Sequence, residues 1–471
     1  MLAVVALALG LVISFSVVGT KSGVVVVLSL VLLAVLAFPM VRRVRGKFDP
    51  FAPLVVCVVA LAIGYPLRAL SIVLEGLTLS LHPLSANETI MHLSLALFYT
   101  IIGVVFLYWG YASRLGNEIG QRLPTPGLLL SGVRMRVIVL GFSIIGILFY
   151  LLLMRGAGGI VHFITNMAFR AELLSGGGRN FLNWGASLMP LATVIWYVHY
   201  LTVKRSKLFW VHLVTSSLML MSLGGRSAVI LLWLVLGVLY HYLVAPIRLR
   251  TLIVLGFVFI IVFSSGMLAF RTSTFQGFDA ELFATTVGTT FTLPGVMRVL
   301  SGDLNSIDRF IMIMRGVPDE LPLQFGTTFA TFLVMPIPRA VWPSKPVNAD
   351  GLIVQTFFPG WGGGGIPPSL LGEFYMNFLF PGIIFGMFVF GLICRMMYSY
   401  LTSNKNNAGV VLIYAFGLTY VLGFSLSGNF SLLMVHLLME MIPIIGFLMY
   451  ASRGRILMRR HLNARQQRGV I

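Results

Sequence analysis

Charge is what this sequence has least of. Only 10% of its 471 residues are charged, against about a quarter in soluble globular domains. Acids are the scarcer sign, with 14 Asp and Glu against 33 Lys and Arg and a net charge of +19. Cysteine is almost missing: Cys57 and Cys394 both fall in apolar stretches, which excludes a disulfide framework and a cysteine metal site. Internal repeats are lacking, and low complexity is limited to the glycine run at 362–365. The first apolar segment has neither a basic leader nor a small-residue cleavage site, and a second segment follows at once. It reads as a retained helix rather than a signal peptide.

What is present is apolar surface: 58% hydrophobic residues and a mean hydropathy of +0.96. The chain is expected to be an all-α polytopic integral membrane protein, with one membrane domain over 1–471. The excess of basic residues does not point to nucleic acid. It sits in short loops between apolar runs, the pattern that orients membrane proteins in a lipid bilayer.

About 20 apolar residues cross a hydrocarbon core of ~30 Å. That rule marks twelve candidate transmembrane helices: 2–19, 23–41, 53–74, 89–112, 137–154, 182–203, 208–224, 227–246, 251–270, 374–395, 408–427 and 430–451. Basic clusters alternate with them. Arg42, Arg43, Arg45 and Lys47, then Arg114, Arg122, Arg134 and Arg136, fall on one side. Lys204, Arg205 and Lys207, then Arg248 and Arg250, then Lys405 and the tail from Arg453 to Arg468 fall on the same side. Both termini are therefore expected to be cytoplasmic. All acids except Asp49, Glu118 and Glu440 then map outside.

Three outer segments follow: 75–88, 155–181, and a large extracytoplasmic loop, 271–373. Residues 304–316 of that loop read as a short amphipathic helix begun by Asn305 or Ser306. Its Phe310, Ile311 and Met314 are expected either on the membrane surface or in the packing of a small lid. From 335 to 347 four prolines (Pro336, Pro338, Pro343, Pro346) exclude a continuous helix. They present Arg339 and Lys345 from a stiff backbone. The glycine- and proline-rich passage Gly360–Pro368 then leads to Glu373.

The run G-x-x-F from Gly326, P-R-A-V-W-P-S-K-P from Pro338 and P-P-S-L-L-G-E-F-Y-M-N-F from Pro367 resembles the O-antigen and lipid-linked oligosaccharide repeat-unit polymerase family, the Wzy type. The matching core covers roughly 280–395. The resemblance implies an enzyme of the bacterial cytoplasmic (inner) membrane that needs no cofactor. It would polymerise undecaprenyl-pyrophosphate-linked oligosaccharide on the outer face, beside a chain-length regulator (co-polymerase) and a flippase. It also allows a relation to C-type glycosyltransferase folds.

Such a transfer leaves negative charge on a pyrophosphate, and arginine meets phosphate oxygens with a rigid fork. The outer basic set is Arg155, Arg170, Arg179, Arg226, Arg271, Arg298, Arg309, Arg315, Arg339 and Lys345. Arg339, Lys345, Arg226, Arg271, Arg170 and Arg179 are the expected pyrophosphate ligands. Arg226 stands out because it separates two spans with almost no loop, although an arginine there can simply snorkel to the surface. Arg298, Arg309 and Arg315 read as loop charges. Glu373 is the first choice for activating the acceptor hydroxyl, and Tyr375 and Asn377 beside it are expected to bind substrate. A helix-terminal acid favoured by the dipole is the plainer reading, and His162 is the second choice. Trp342, Trp361 and Phe358 are placed to stack on sugars or to sit in an interfacial belt. The close carboxylate pair Asp279 and Glu281 is the one metal candidate, but arginines in place of a metal are the simpler account. His436 and Glu440, four apart within the last span, suit an interhelical hydrogen bond. Two readings compete: a ligase that moves finished polysaccharide to a lipid acceptor, and a flippase or transporter, which calls for matched halves and broken spans.

Overall fold

A computed structural model describes residues 22–43, 48–81, 84–126, 132–174, 178–203, 206–223, 226–274, 279–290, 305–339, 341–360 and 364–467. Their regular structure is all helical, and no strand occurs among the described residues. Among the described residues seven helices are long and apolar enough to cross a membrane: Pro53–Leu74, Ala86–Ala112, Val133–Gly156, Phe181–Thr202, Leu370–Ser403, Ala408–Ser427 and Phe430–Tyr450. The protein is a multi-pass membrane protein. Three more expected spans are shorter apolar helices: Gly23–Pro39, Leu208–Ser222 and Ser227–Leu243. The expected span 251–270 lies within the helix Leu249–Thr272, and 2–19 lies outside the described residues.

The chain divides into two compact units. The first comprises Met1–Gln121, Val287–Ser399 and Tyr420–Val435. Its helix Ala86–Ala112 opens on a capping box, with Ser85 and Glu88 each satisfying the other's backbone amide, as orphan amides at a helix start require. This helix lies backbone to backbone on Leu370–Ser403. A side chain at Gly110 would strike the Phe388 carbonyl, and one at Gly391 would strike the Leu107 carbonyl. Small residues at such crossings let helices pack where lipid removes the hydrophobic drive. In Pro53–Leu74, Pro66 supplies no amide to the ladder, and Ile63–Leu67 widens to a π turn.

The helix Ser306–Gly316 decides between two expectations, taking the packed one, and corrects a third. Among its residues only Arg315 is exposed, and Phe310, Ile311 and Met314 belong to the core of the first unit. It is neither a surface anchor nor a loop element. Asn305 stands at its N-cap position without a side-chain capping bond. Arg309, expected to be a loop charge, is 5% exposed.

The second unit comprises Arg122–Thr286, Tyr400–Thr419 and His436–Ile471. Its apolar helices are joined by short polar ties, among them the Thr193 and Ser216 hydroxyls at 2.6 Å. The Trp196 and His212 rings stack at 5.4 Å. The expected loop 155–181 forms the short helices Ile160–Thr165 and Arg170–Leu173, then enters Arg179–Ala186.

Candidate functional site

The motif region is organised by a break in a membrane-spanning helix. Leu370–Ser403 loses helical geometry at Phe378 and Leu379, where Leu379 has φ 52°. Pro381 has no N–H for the Asn377 carbonyl four residues back, so that carbonyl is left for another donor. Phe325 donates to it at 3.3 Å, and Gln324 donates to the Met376 carbonyl at 3.0 Å. The Asn377 side chain completes the joint. Its Oδ1 accepts from the Gly326 amide at 2.7 Å, while its Nδ2 donates to Thr328 Oγ1 at 2.8 Å and to the Glu373 carbonyl at 2.7 Å. Gly326 adopts φ +88°, open to glycine at little cost. Asn377, expected to bind substrate, is fully buried and holds this loop in place.

From this joint the chain runs over the start of the last span. Ser431 Oγ donates to the Thr328 carbonyl and accepts from the Phe332 amide at 3.0 Å. Glu373 is fully buried, and its Oε2 accepts from the Phe430 amide at 2.8 Å. The carboxylate therefore caps the helix that begins at Phe430. Its Oε1 has no hydrogen-bond partner of good geometry, and neither does the side-chain amide of Asn429, which is 2% exposed. Asp350 stands close to both residues, and its side chain covers Gly365. Burial is the largest influence on Asp350 and raises its pKa; hydrogen bonding from the Gly351 amide opposes that.

The proline-rich segment is irregular, as its sequence demands. Arg339 is exposed; its Nη1 donates to the carbonyls of Pro343 at 3.1 Å and Lys345 at 3.3 Å. Lys345 Nζ donates to the carbonyls of Met335 at 2.9 Å and Ile337 at 2.5 Å. Each cation thus braces its own loop. Desolvation lowers the Lys345 pKa, and the neighbouring charge of Arg339 lowers it further. Neither residue forms an ion pair among the described residues. Two adjacent positive groups without a carboxylate are an arrangement an anion would relieve. Trp342 lies beside them, its Nε1 donating to Ser344 Oγ at 3.2 Å.

The remaining expected residues are distributed more widely. Tyr375 is half-buried in aromatic packing, its ring 6.3 Å from Tyr99 and 6.0 Å from Phe310. Arg170 and Arg179 belong to the second unit and donate to backbone carbonyls, Arg170 to Leu223 at 3.5 Å and Arg179 to Leu173 at 2.9 Å and Gly156 at 2.8 Å. Arg226 begins the helix Arg226–Leu243, and Arg271 ends within Leu249–Thr272; their side chains lie outside what is described. So does Trp361. Asp279 Oδ1 accepts from the amides of Glu281 at 2.9 Å and Leu282 at 3.0 Å, a helix cap. His162 is exposed and interacts with Asn166, while His436 meets the edge of Trp184 at 6.4 Å.

One polar centre escaped the sequence reading. Arg68 lies buried beside the π turn and grips Asp308 with Nε at 3.0 Å and Nη2 at 3.1 Å. Ser71, Ser80 and Glu75 complete its shell. The available signal was a charge inside an apolar run, at Arg68, with Pro66 two residues before it. Arg309 alongside is held by the carbonyls of Asn305, Pro367 and Leu426. Burial lowers its pKa to about 10, which leaves it charged at neutral pH.

No family model, curated protein or solved structure matches this chain.

Proposed function

We propose that the protein is a membrane glycosyltransferase that polymerises undecaprenyl-pyrophosphate-linked oligosaccharide repeats on the outer face of the bacterial cytoplasmic membrane. The reading rests on the resemblance of the 326–377 motifs to the repeat-unit polymerases. One observation carries it: Arg339 and Lys345 sit side by side on a proline-stiffened loop with no acid among the described residues to neutralise them. In the transfer, an acceptor hydroxyl oxygen bonds to the anomeric carbon of the donor. The bond from that carbon to the phosphate oxygen breaks, and the electron pair leaves with the pyrophosphate. Fixed cations where this charge develops lower the barrier most, and Arg339 and Lys345 supply them. The hydroxyl proton goes to a carboxylate, for which Glu373 is the candidate through its unengaged Oε1. Because Glu373 has no exposed surface, an acceptor reaches it only when the segments over it open. Arg226, Arg271, Arg170 and Arg179 remain candidates for further phosphate contacts.

A lipid-linked sugar flippase or transporter is the second reading, favoured by the interruption of the Leu370–Ser403 span at Phe378, since broken helices often line transport sites. A ligase differs only in its acceptor. Incubating purified protein with synthetic lipid-linked repeats, with and without a lipid A-type acceptor, separates the three: polymer, capped acceptor or no product. In cells, Arg339→Ala is expected to abolish polymer while single repeats still reach the surface. Normal long-chain polymer in that strain removes Arg339 from the mechanism.

A further inference from the structure

The segment from Phe325 to Pro346 is poorly suited to either bulk phase. Phe325 is 71% exposed, Leu333 68%, Val341 76% and Trp342 38%. So many large apolar side chains close together on one loop disfavour bulk water, and such patches mark an interaction surface. Hydrocarbon is excluded as well. Among its described residues the only helical turns are Thr327–Ala330 and the 3-10 turn Thr331–Leu333, and irregular backbone facing lipid tails leaves polar groups unsatisfied. The headgroup layer meets both demands, giving water to the backbone and apolar depth to the side chains. Tryptophan, arginine and lysine all favour that layer.

The anchoring of the segment agrees. Gln324, Phe325 and Gly326 are tied to Met376 and Asn377, which lie ~10 Å along a membrane-spanning helix from its start at Leu370, at 1.5 Å per residue. A loop fixed there emerges near the end of a span. Its two cations, Arg339 and Lys345, have no acid partner, and Nε and Nη2 of Arg339 donate to no protein group among the described residues. A positively charged, apolar-studded edge complements an anionic amphiphile.

We propose that this segment docks on the lipid headgroup layer, with Leu333, Val341 and Trp342 inserted at the interface and Arg339 and Lys345 against lipid phosphates. The inference stands apart from sugar transfer, because docking needs no substrate and is read without one.

The test uses the full-length protein in nanodiscs of phosphatidylethanolamine and phosphatidylglycerol. Val341→Cys carries an environment-sensitive NBD label, and the native thiols Cys57 and Cys394 are buried. Exposed Asp319, labelled as Asp319→Cys, is the water reference. The expected result is emission blue-shifted from that reference. Quenching by a lipid with a shallow doxyl group should exceed quenching by a deep doxyl lipid and by aqueous iodide. Leu333→Cys repeats the measurement if Val341→Cys does not fold. Emission like the reference, with quenching by iodide alone, overturns the proposal and leaves the surface for a protein partner. Dominant quenching by the deep doxyl lipid overturns it too. Inorganic pyrophosphate should leave the lipid quenching in place. Its loss on that addition would assign the cations to a free anion and overturn the lipid docking.

Discussion

The first unit holds cations of two kinds. Arg68 and Arg309 are buried, and each nitrogen of their guanidinium groups donates to a carboxylate, hydroxyl or carbonyl oxygen. Among the described residues Arg339 and Lys345 are bonded to their own loop alone. A desolvated cation is tolerable only when its surroundings are complete, so the first kind cannot be spared for a ligand. The second is braced but not neutralised. The two kinds of cation therefore differ in what remains unsatisfied, not in distance along the chain. Asp308 and Arg309 stand next to each other inside the segment that also carries Arg339.

That contrast can be broken most forcefully at Asp308. Asp308→Ala leaves Arg68 in the interior with Glu75 as its one carboxylate among the described residues, and removing one partner of a buried pair costs ~3–5 kcal/mol. Unfolding of the purified protein should show a loss of that order, while Arg339→Ala, measured alongside, keeps an unfolding curve near the parent. Equal losses in the two variants would erase the distinction.

Glu373 tests the middle ground, since it caps a helix with one oxygen and leaves the other unengaged. Glu373→Gln keeps an acceptor for the Phe430 amide, so the protein should fold. If the carboxylate takes the acceptor proton, transfer falls by ~10²–10⁴-fold. An unchanged rate with purified lipid-linked repeats reduces Glu373 to a cap.

Asp350 sharpens the comparison with the smallest effect. Burial raises its folded-state pKa above the unfolded one, so the folded state favours the protonated acid. Its contribution is present below the unfolded pKa and lost as pH rises through the folded pKa. Asp350→Asn should therefore stabilise the protein at neutral pH and make little difference at about pH 4, near the ordinary carboxylate value. Paired melting curves at the two pH values check this. A destabilised variant at neutral pH points instead to a positive partner for Asp350.

The sequence by itself determined that the chain is helical and membrane-spanning. Apolar runs of span length admit no other solution in lipid, where backbone polar groups must bond within a segment. It also determined that 335–347 is irregular, because proline removes donors whatever surrounds it. Only tertiary structure decided the fate of the polar residues. Residues 304–316 read equally well as a surface helix or a packed one; Arg68 reaching Asp308 across 240 positions made the interior affordable. That Asn377 holds a loop was decided by the break at Phe378 beside Pro381. Local pattern reports how apolar a segment is, but the free energy of a charge depends on which distant atoms complete its shell.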